Sequence, residues 1–123
     1  MITGSLVALV TPFRHGELDE DAVRNMVQWH IAQGTHGIVP VGTTGESATL
    51  TRKEHCRVIE LVVKEIAGCM PVVAGAGSNN TREAIFYNES AQELGADASL
   101  HVAGYYNRPS QEGLFRHFEA VHE

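Results

Sequence analysis

Positive charge is scarce in this chain. Nine lysines and arginines stand against fifteen aspartates and glutamates, a formal net charge of -6. Such a surface repels a phosphate backbone instead of neutralising it, so nucleic acid is not an expected partner. Long apolar runs are missing as well. None approaches the roughly 20 residues that cross a bilayer, and Met1-Ile2-Thr3-Gly4-Ser5 has no basic stretch of the kind that opens a secretory leader. No membrane association is expected, and the expected compartment is the cytoplasm. Cysteine is limited to Cys56 and Cys69, which form no CxxC; a chain of this size builds a core without a disulfide, and reduced thiols are expected. The seven histidines, at 15, 30, 36, 55, 101, 117 and 122, include no i, i+4 pair and no HExxH. Neither a metal site nor a cofactor is expected from them.

What remains suits one compact domain: 43% of residues are hydrophobic and 20% charged, and no linker or composition break divides residues 1–123. Four short apolar runs recur, at Leu6–Val10, Gly37–Val41, Pro71–Ala74 and Ala98–Val102. Each is followed by a longer stretch of helical period, at a spacing of about 30 residues that matches repeated βα units. Near-continuous apolar strands imply burial on both faces and a parallel sheet.

The helices carry their own boundary signals. Val23, Met26, Val27, His30 and Ile31 make one apolar face, preceded by Asp19-Glu20-Asp21 and followed by Gly34. Thr51-Arg52-Lys53-Glu54 spells a capping box, and Gly68 is placed to close that helix. Asn80 and Ser110 are placed to open the third and fourth, the last with a stripe of Leu114, Phe115, Phe118 and Val121. His117 and His122 are expected in solvent. His101 interrupts an apolar strand, which puts it either in the interior with a hydrogen-bond partner or at a sheet edge.

Four parallel βα units fit a doubly wound open sheet or part of a (β/α)8 barrel, and in both folds ligands meet the carboxyl ends of the strands. After the second apolar run comes Gly42-Thr43-Thr44-Gly45-Glu46-Ser47, where small residues let amides and hydroxyls converge on an anion. A polar turn with capping residues is the equal alternative for such a run, and no Gly-Lys-Ser/Thr follows to make it a Walker loop. Gly75-Ala76-Gly77-Ser78-Asn79-Asn80 lacks the third glycine of a dinucleotide fingerprint and reads as a glycine-rich turn capped by Asn80. Gly104-Tyr105-Tyr106-Asn107-Arg108-Pro109 sets two phenols at a strand end, suited to packing, to a subunit interface or to proton relay.

Taken with Ala8-Leu9-Val10-Thr11-Pro12-Phe13, the GTTGES loop at 42–47, Val73-Ala74-Gly75 and the run Tyr105–Leu114, the chain resembles the dihydrodipicolinate synthases from end to end. The GTTGES loop is shared with related aldolases such as N-acetylneuraminate lyase; the YYNRPSQEGL run is the more specific. The resemblance implies the N-terminal half of a (β/α)8 barrel, four βα units, in an enzyme that condenses pyruvate, held as a lysine Schiff base, with aspartate semialdehyde in lysine and diaminopimelate synthesis. It implies that Thr44 holds the pyruvate carboxylate and that Thr43 and Tyr106 share a proton relay, Tyr106 reaching in from a neighbouring subunit of a homotetramer. It also implies a lysine effector site at Ser47, Ala48, His55, Asn79, Glu83 and Tyr105.

Three departures accompany the resemblance. Arg52 stands where members with the effector site often carry histidine. His101-Val102-Ala103-Gly104 replaces an apolar strand followed by Thr-Pro, which is expected to loosen the entry to the tyrosine loop. The Schiff-base lysine, the third relay residue and the arginine that meets the aldehyde are expected beyond Glu123. Lys53 and Lys64, the only lysines, fall in the second helix, so these 123 residues by themselves are expected to be inactive. The alternatives are a related pyruvate-dependent aldolase, and an open-sheet module that binds a carboxylate or phosphate without covalent chemistry.

Overall fold

The computed structural model describes residues 1–122. Along the chain run β1 (Leu6–Ala8), β2 (Phe13–Arg14), β3 (Glu17–Leu18), α1 (Glu20–Ala32), β4 (Gly37–Val39), a 3-10 turn at Ser47–Thr49, α2 (Arg52–Ile66), β5 (Val73–Gly75), α3 (Thr81–Glu93), β6 (Ala98–Leu100) and α4 (Gln111–His122). β1 pairs in parallel with β4 in the register Val7↔Ile38, and β5 with β6 in the register Ala74↔Ser99. A single parallel bridge, Ile38↔Val72, joins the two pairs, supported by the Ile38 amide on the Pro71 carbonyl (3.1 Å) and the Gly75 amide on that of Pro40 (2.9 Å). The seam is thin because Pro40 and Pro71 have no amide to donate. The spatial order β1-β4-β5-β6 is that of four successive βα units with crossovers between neighbours.

The helices cover one face. Val7, Leu9, Ile38, Val72 and Ala74 of the sheet pack with Val23 and Val27 of α1, Val58, Ile59 and Val62 of α2 and Ala91 of α3. The other face, carrying Ala8, Val10 (53% exposed) and Leu100 (51% exposed), is open among the described residues. α1 and α2 are tied at the surface by Arg57, whose guanidinium donates to Glu20 (2.6 Å) and Glu60 (2.7 Å). The bond from Arg57, joined by one from Arg24 (2.9 Å), holds the Glu20 carboxyl down at about 2.

The helix starts follow their caps. Asp19 accepts the Ala22 amide, Thr51 and Glu54 form the reciprocal box, Asn80 accepts the Arg82 amide and Ser110 accepts that of Gly113. Three details differ from expectation. The left-handed turn that ends α2 begins at Ala67 (φ 49°), with Gly68 continuing it (φ 79°). The β2–β3 hairpin is an addition; its two-residue turn, His15 (φ 54°) and Gly16 (φ 85°), has both central residues left-handed as a type I′ turn demands, but lacks the usual Asn-Gly signal. His117, expected in solvent, is half-buried with Nδ1 2.9 Å from Thr81 Oγ1.

Candidate active site

The loop after β4 is held from three sides. Val41 leaves the strand in the left-handed region (φ 49°), a position that costs a β-branched residue about 1–3 kcal/mol and persists only where its surroundings over-determine it. Those surroundings are tight: Val41 is buried, and a Cβ on Gly75 of β5 would collide with its carbonyl. From the segment that follows β1, the buried Thr11 hydroxyl donates to the Gly45 carbonyl at 2.7 Å. Within the loop, the Glu46 amide returns to Thr43 O (3.0 Å) and the Ser47 amide to Gly42 O (3.3 Å). The amides of Thr43, Thr44 and Gly45 make no hydrogen bond among the described residues. Thr43 and Thr44 are both exposed, and Thr43 borders a cleft of about 190 Å³ that reaches Gly75, Val102 and Tyr105. Free amides and hydroxyls at a glycine-bounded turn are what a small anion requires.

The loop after β6 is clamped at Tyr105. Its amide donates to Asn79 Oδ1 (2.6 Å) and its hydroxyl to the Gly77 carbonyl (2.8 Å). Tyr106, next in line, is left-handed (φ 65°) and fully exposed, its phenol directed to solvent. Gly104 (φ 116°) makes the preceding bend, where a Cβ would fall on the Asn107 side chain.

Between the two loops lies a second cleft of about 290 Å³, lined by Ser47, Ala48, Asn79, Glu83, Tyr87 and Tyr105 among others. Glu83 Oε2 accepts the Ser78 hydroxyl (2.6 Å), and its Oε1 lies 3.8 Å from Arg52 Nε. The Arg52 guanidinium also stacks over Phe86, 4.7 Å from the ring centre. His55 is apart from these. It is 1% exposed, stacked on Tyr87 at 4.0 Å, with Nε2 2.8 Å from the Gly75 carbonyl. Since a carbonyl only accepts, Nε2 carries the proton, and Nδ1 is buried without a partner. Burial pushes the imidazole below its ordinary value, opposed by the Gly75 carbonyl and by the charge of Glu83. Burial likewise raises the Tyr87 phenol.

Thr43, Thr44 and Tyr106 thus all sit on loops at the carboxyl ends of strands. Five of the six expected effector residues line one cleft, while His55 lies behind Tyr87. Two contributors had escaped the sequence reading. Thr11 lay in plain view within the Ala8–Phe13 run, and Ser78 was folded into a glycine-rich turn; Ser78 is buried between Glu83 and the Asn80 amide (3.1 Å). Lys64 pairs with Glu60 on the surface of α2 and Lys53 is exposed in its first turn, so neither ammonium joins the loops.

A parallel sheet covered by helices on one face, with its chemistry-bearing loops gathered at one end, defines an α/β protein built as part of a (β/α)8 barrel. The sequence pattern of the dihydrodipicolinate synthetase family matches residues 1–123, and the chain belongs to that family. It is 60% identical over 123 residues to the 4-hydroxy-tetrahydrodipicolinate synthase of Parvibaculum lavamentivorans, covering 100% of this chain and 42% of that protein. It superposes on the chloride-inhibited dihydrodipicolinate synthase of Acinetobacter baumannii complexed with pyruvate, with TM-score 0.95 and 48% identity over 99% of this chain and 42% of that one. It also superposes on the enzyme of Cyanidioschyzon merolae with lysine bound, with TM-score 0.90 and 41% identity over 96% and 41%. The chain therefore spans about two fifths of the length of these relatives.

Proposed function

We propose that this chain supplies the pyruvate-holding part of a 4-hydroxy-tetrahydrodipicolinate synthase, which joins pyruvate to aspartate semialdehyde. The observation that carries the reading is the loop at 42–47, with unpaired amides at Thr43, Thr44 and Gly45 beside two exposed hydroxyls. In this reading Thr44 holds the pyruvate carboxylate through its hydroxyl and amide. Thr43 and Tyr106 pass protons as the keto group condenses with an amine, Tyr106 entering the site of a neighbouring subunit. The amine is a lysine outside these residues, because Lys53 and Lys64 stand on α2 away from the loops. No metal or organic cofactor has a part in it. The test is borohydride reduction of the complete protein with pyruvate, followed by mass spectrometry. A stable adduct on a lysine is expected. Pyruvate binding without an adduct would instead favour a non-covalent carboxylate-binding module.

The cleft at Glu83 is proposed as the lysine effector site, with Glu83 toward an ammonium group and Asn79 and Tyr105 offering neutral hydrogen bonds. Arg52 alters it. Its guanidinium is already within 3.8 Å of Glu83, so an incoming ammonium competes with a resident cation and feedback is weakened. Titration calorimetry with lysine on the complete protein and its Arg52→His variant tests this, the variant being expected to bind more tightly.

A further inference from the structure

His101 follows directly on β6, and its ring turns into the layer under α3 and α4 instead of toward the open face. Nε2 lies 3.1 Å from Ser99 Oγ and 3.3 Å from Asn88 Oδ1. The Ser99 hydroxyl donates its own proton to Asn88 Oδ1 (2.6 Å), so both neighbours accept and Nε2 carries the imidazole proton. Asn88 in turn donates to the Val121 carbonyl of α4 (3.3 Å). The His101 ring stands edge-on to Phe118 of α4 (6.4 Å, 89°), which also meets His117 (5.2 Å, 77°). One neutral imidazole therefore touches the strand end, α3 and α4 together. Its Nδ1 is buried with no partner.

We propose that His101 is a positioning residue for the loop carrying Tyr105 and Tyr106, and that it makes the loop's placement sensitive to protons. The neutral ring anchors the end of β6 and seats α4; the protonated ring releases both. A second proton must go on Nδ1, where no acceptor waits and where apolar packing disfavours charge. The titratable group that acts on the ring is His117 of α4, which opposes a second positive charge there, and among the described residues no carboxylate contributes to offset it. Burial first and His117 second hold His101 below the ordinary imidazole value. Since the folded value is the lower one, the anchor is intact above the ordinary value of 6.5 and is lost as pH falls through the folded value. The released segment is short: only Val102 to Gly104 separate His101 from the Tyr105 clamp on Asn79 and Gly77.

That this matters for turnover rests on the proposed relay role of Tyr106, and the two claims separate in one set of measurements. Hydrogen exchange of the segment 102–110 is followed by mass spectrometry in the complete protein from about pH 7.5 to about pH 5.5, a range that brackets imidazole titration. Rates are corrected for the intrinsic pH dependence of exchange. Protection of this segment is expected to drop several-fold in the native protein. In His101→Gln, which keeps a donor but cannot titrate, and in His101→Val, which restores an apolar strand, the drop should vanish. His117→Gln should move it to higher pH. A drop that persists in both His101 variants, or no drop in the native protein, overturns the proposal. Tyr106→Phe kinetics stand apart: unimpaired turnover there removes Tyr106 from the relay and leaves the exchange result to decide the anchor.

Discussion

The hydroxyl of Thr11 donates to the carbonyl of Gly45 across 2.7 Å, a buried bond between residues 34 apart that ties the extension of β1 to the loop after β4. Replacing Thr11 by valine keeps the shape and leaves that carbonyl unpaired, at a cost of about 1–3 kcal/mol. Urea unfolding of the complete protein should show a loss of this size, and the KM for pyruvate should rise because the loop is less fixed.

Thr44→Val addresses the loop directly. The side chain is exposed and carries no packing role, so stability should hold. A carboxylate would lose a charge-assisted hydrogen bond of roughly 1.5–3 kcal/mol. Steady-state kinetics should show this as weaker pyruvate binding, and unchanged pyruvate kinetics would remove Thr44 from the site.

At Gly75 the obstacle is steric. A methyl group there would meet the Val41 carbonyl and the Gly42 amide, both main chain and both in a strained turn. Gly75→Ala should destabilise by about 1–3 kcal/mol, as overpacking does. It should also lower pyruvate affinity, since the loop must shift to admit the methyl. Thermal unfolding and pyruvate titration together check it.

His55 contributes to stability in a way that depends on pH. Burial holds its folded value below the ordinary 6.5, so the unfolded chain takes up a proton first. The contribution is whole above 6.5 and is lost as pH falls through the folded value. His55→Gln, which can still donate to the Gly75 carbonyl, should be less stable than the native protein at neutral pH. It should lose less between neutral and mildly acidic pH in denaturant titrations.

A polypeptide of only these 123 residues would show Val10 and Leu100 on an open sheet face, with β1 and β6 as unpaired edges. Edges and apolar faces of this kind pair with other copies. Light scattering at micromolar concentration should report dimers or larger species, and borohydride with pyruvate should leave Lys53 and Lys64 unmodified. A folded monomer, or an adduct on either lysine, would contradict this prediction.

Local pattern alone determined much of this protein. Helix starts at Asp19, Thr51, Asn80 and Ser110 follow from side chains that satisfy the free amides of a first turn, an interaction that spans at most three residues. The four apolar runs marked the parallel strands, and glycine and hydroxyl content marked the 42–47 loop, because backbone freedom and donor supply are properties of composition. The β2–β3 turn escaped because His15 adopts a left-handed backbone that its side chain does not advertise. The rest needed residues distant in sequence. The Thr11 bond to Gly45, the burial of His55 behind Tyr87 and the clamp of Tyr105 on Asn79 each join separate βα units. No periodicity encodes such pairings, which arise only when parallel strands bring their carboxyl ends side by side. The direction of His101 was decided the same way: a strand alternates its faces, but only the packed α3 and α4 say which face holds Asn88 and Phe118.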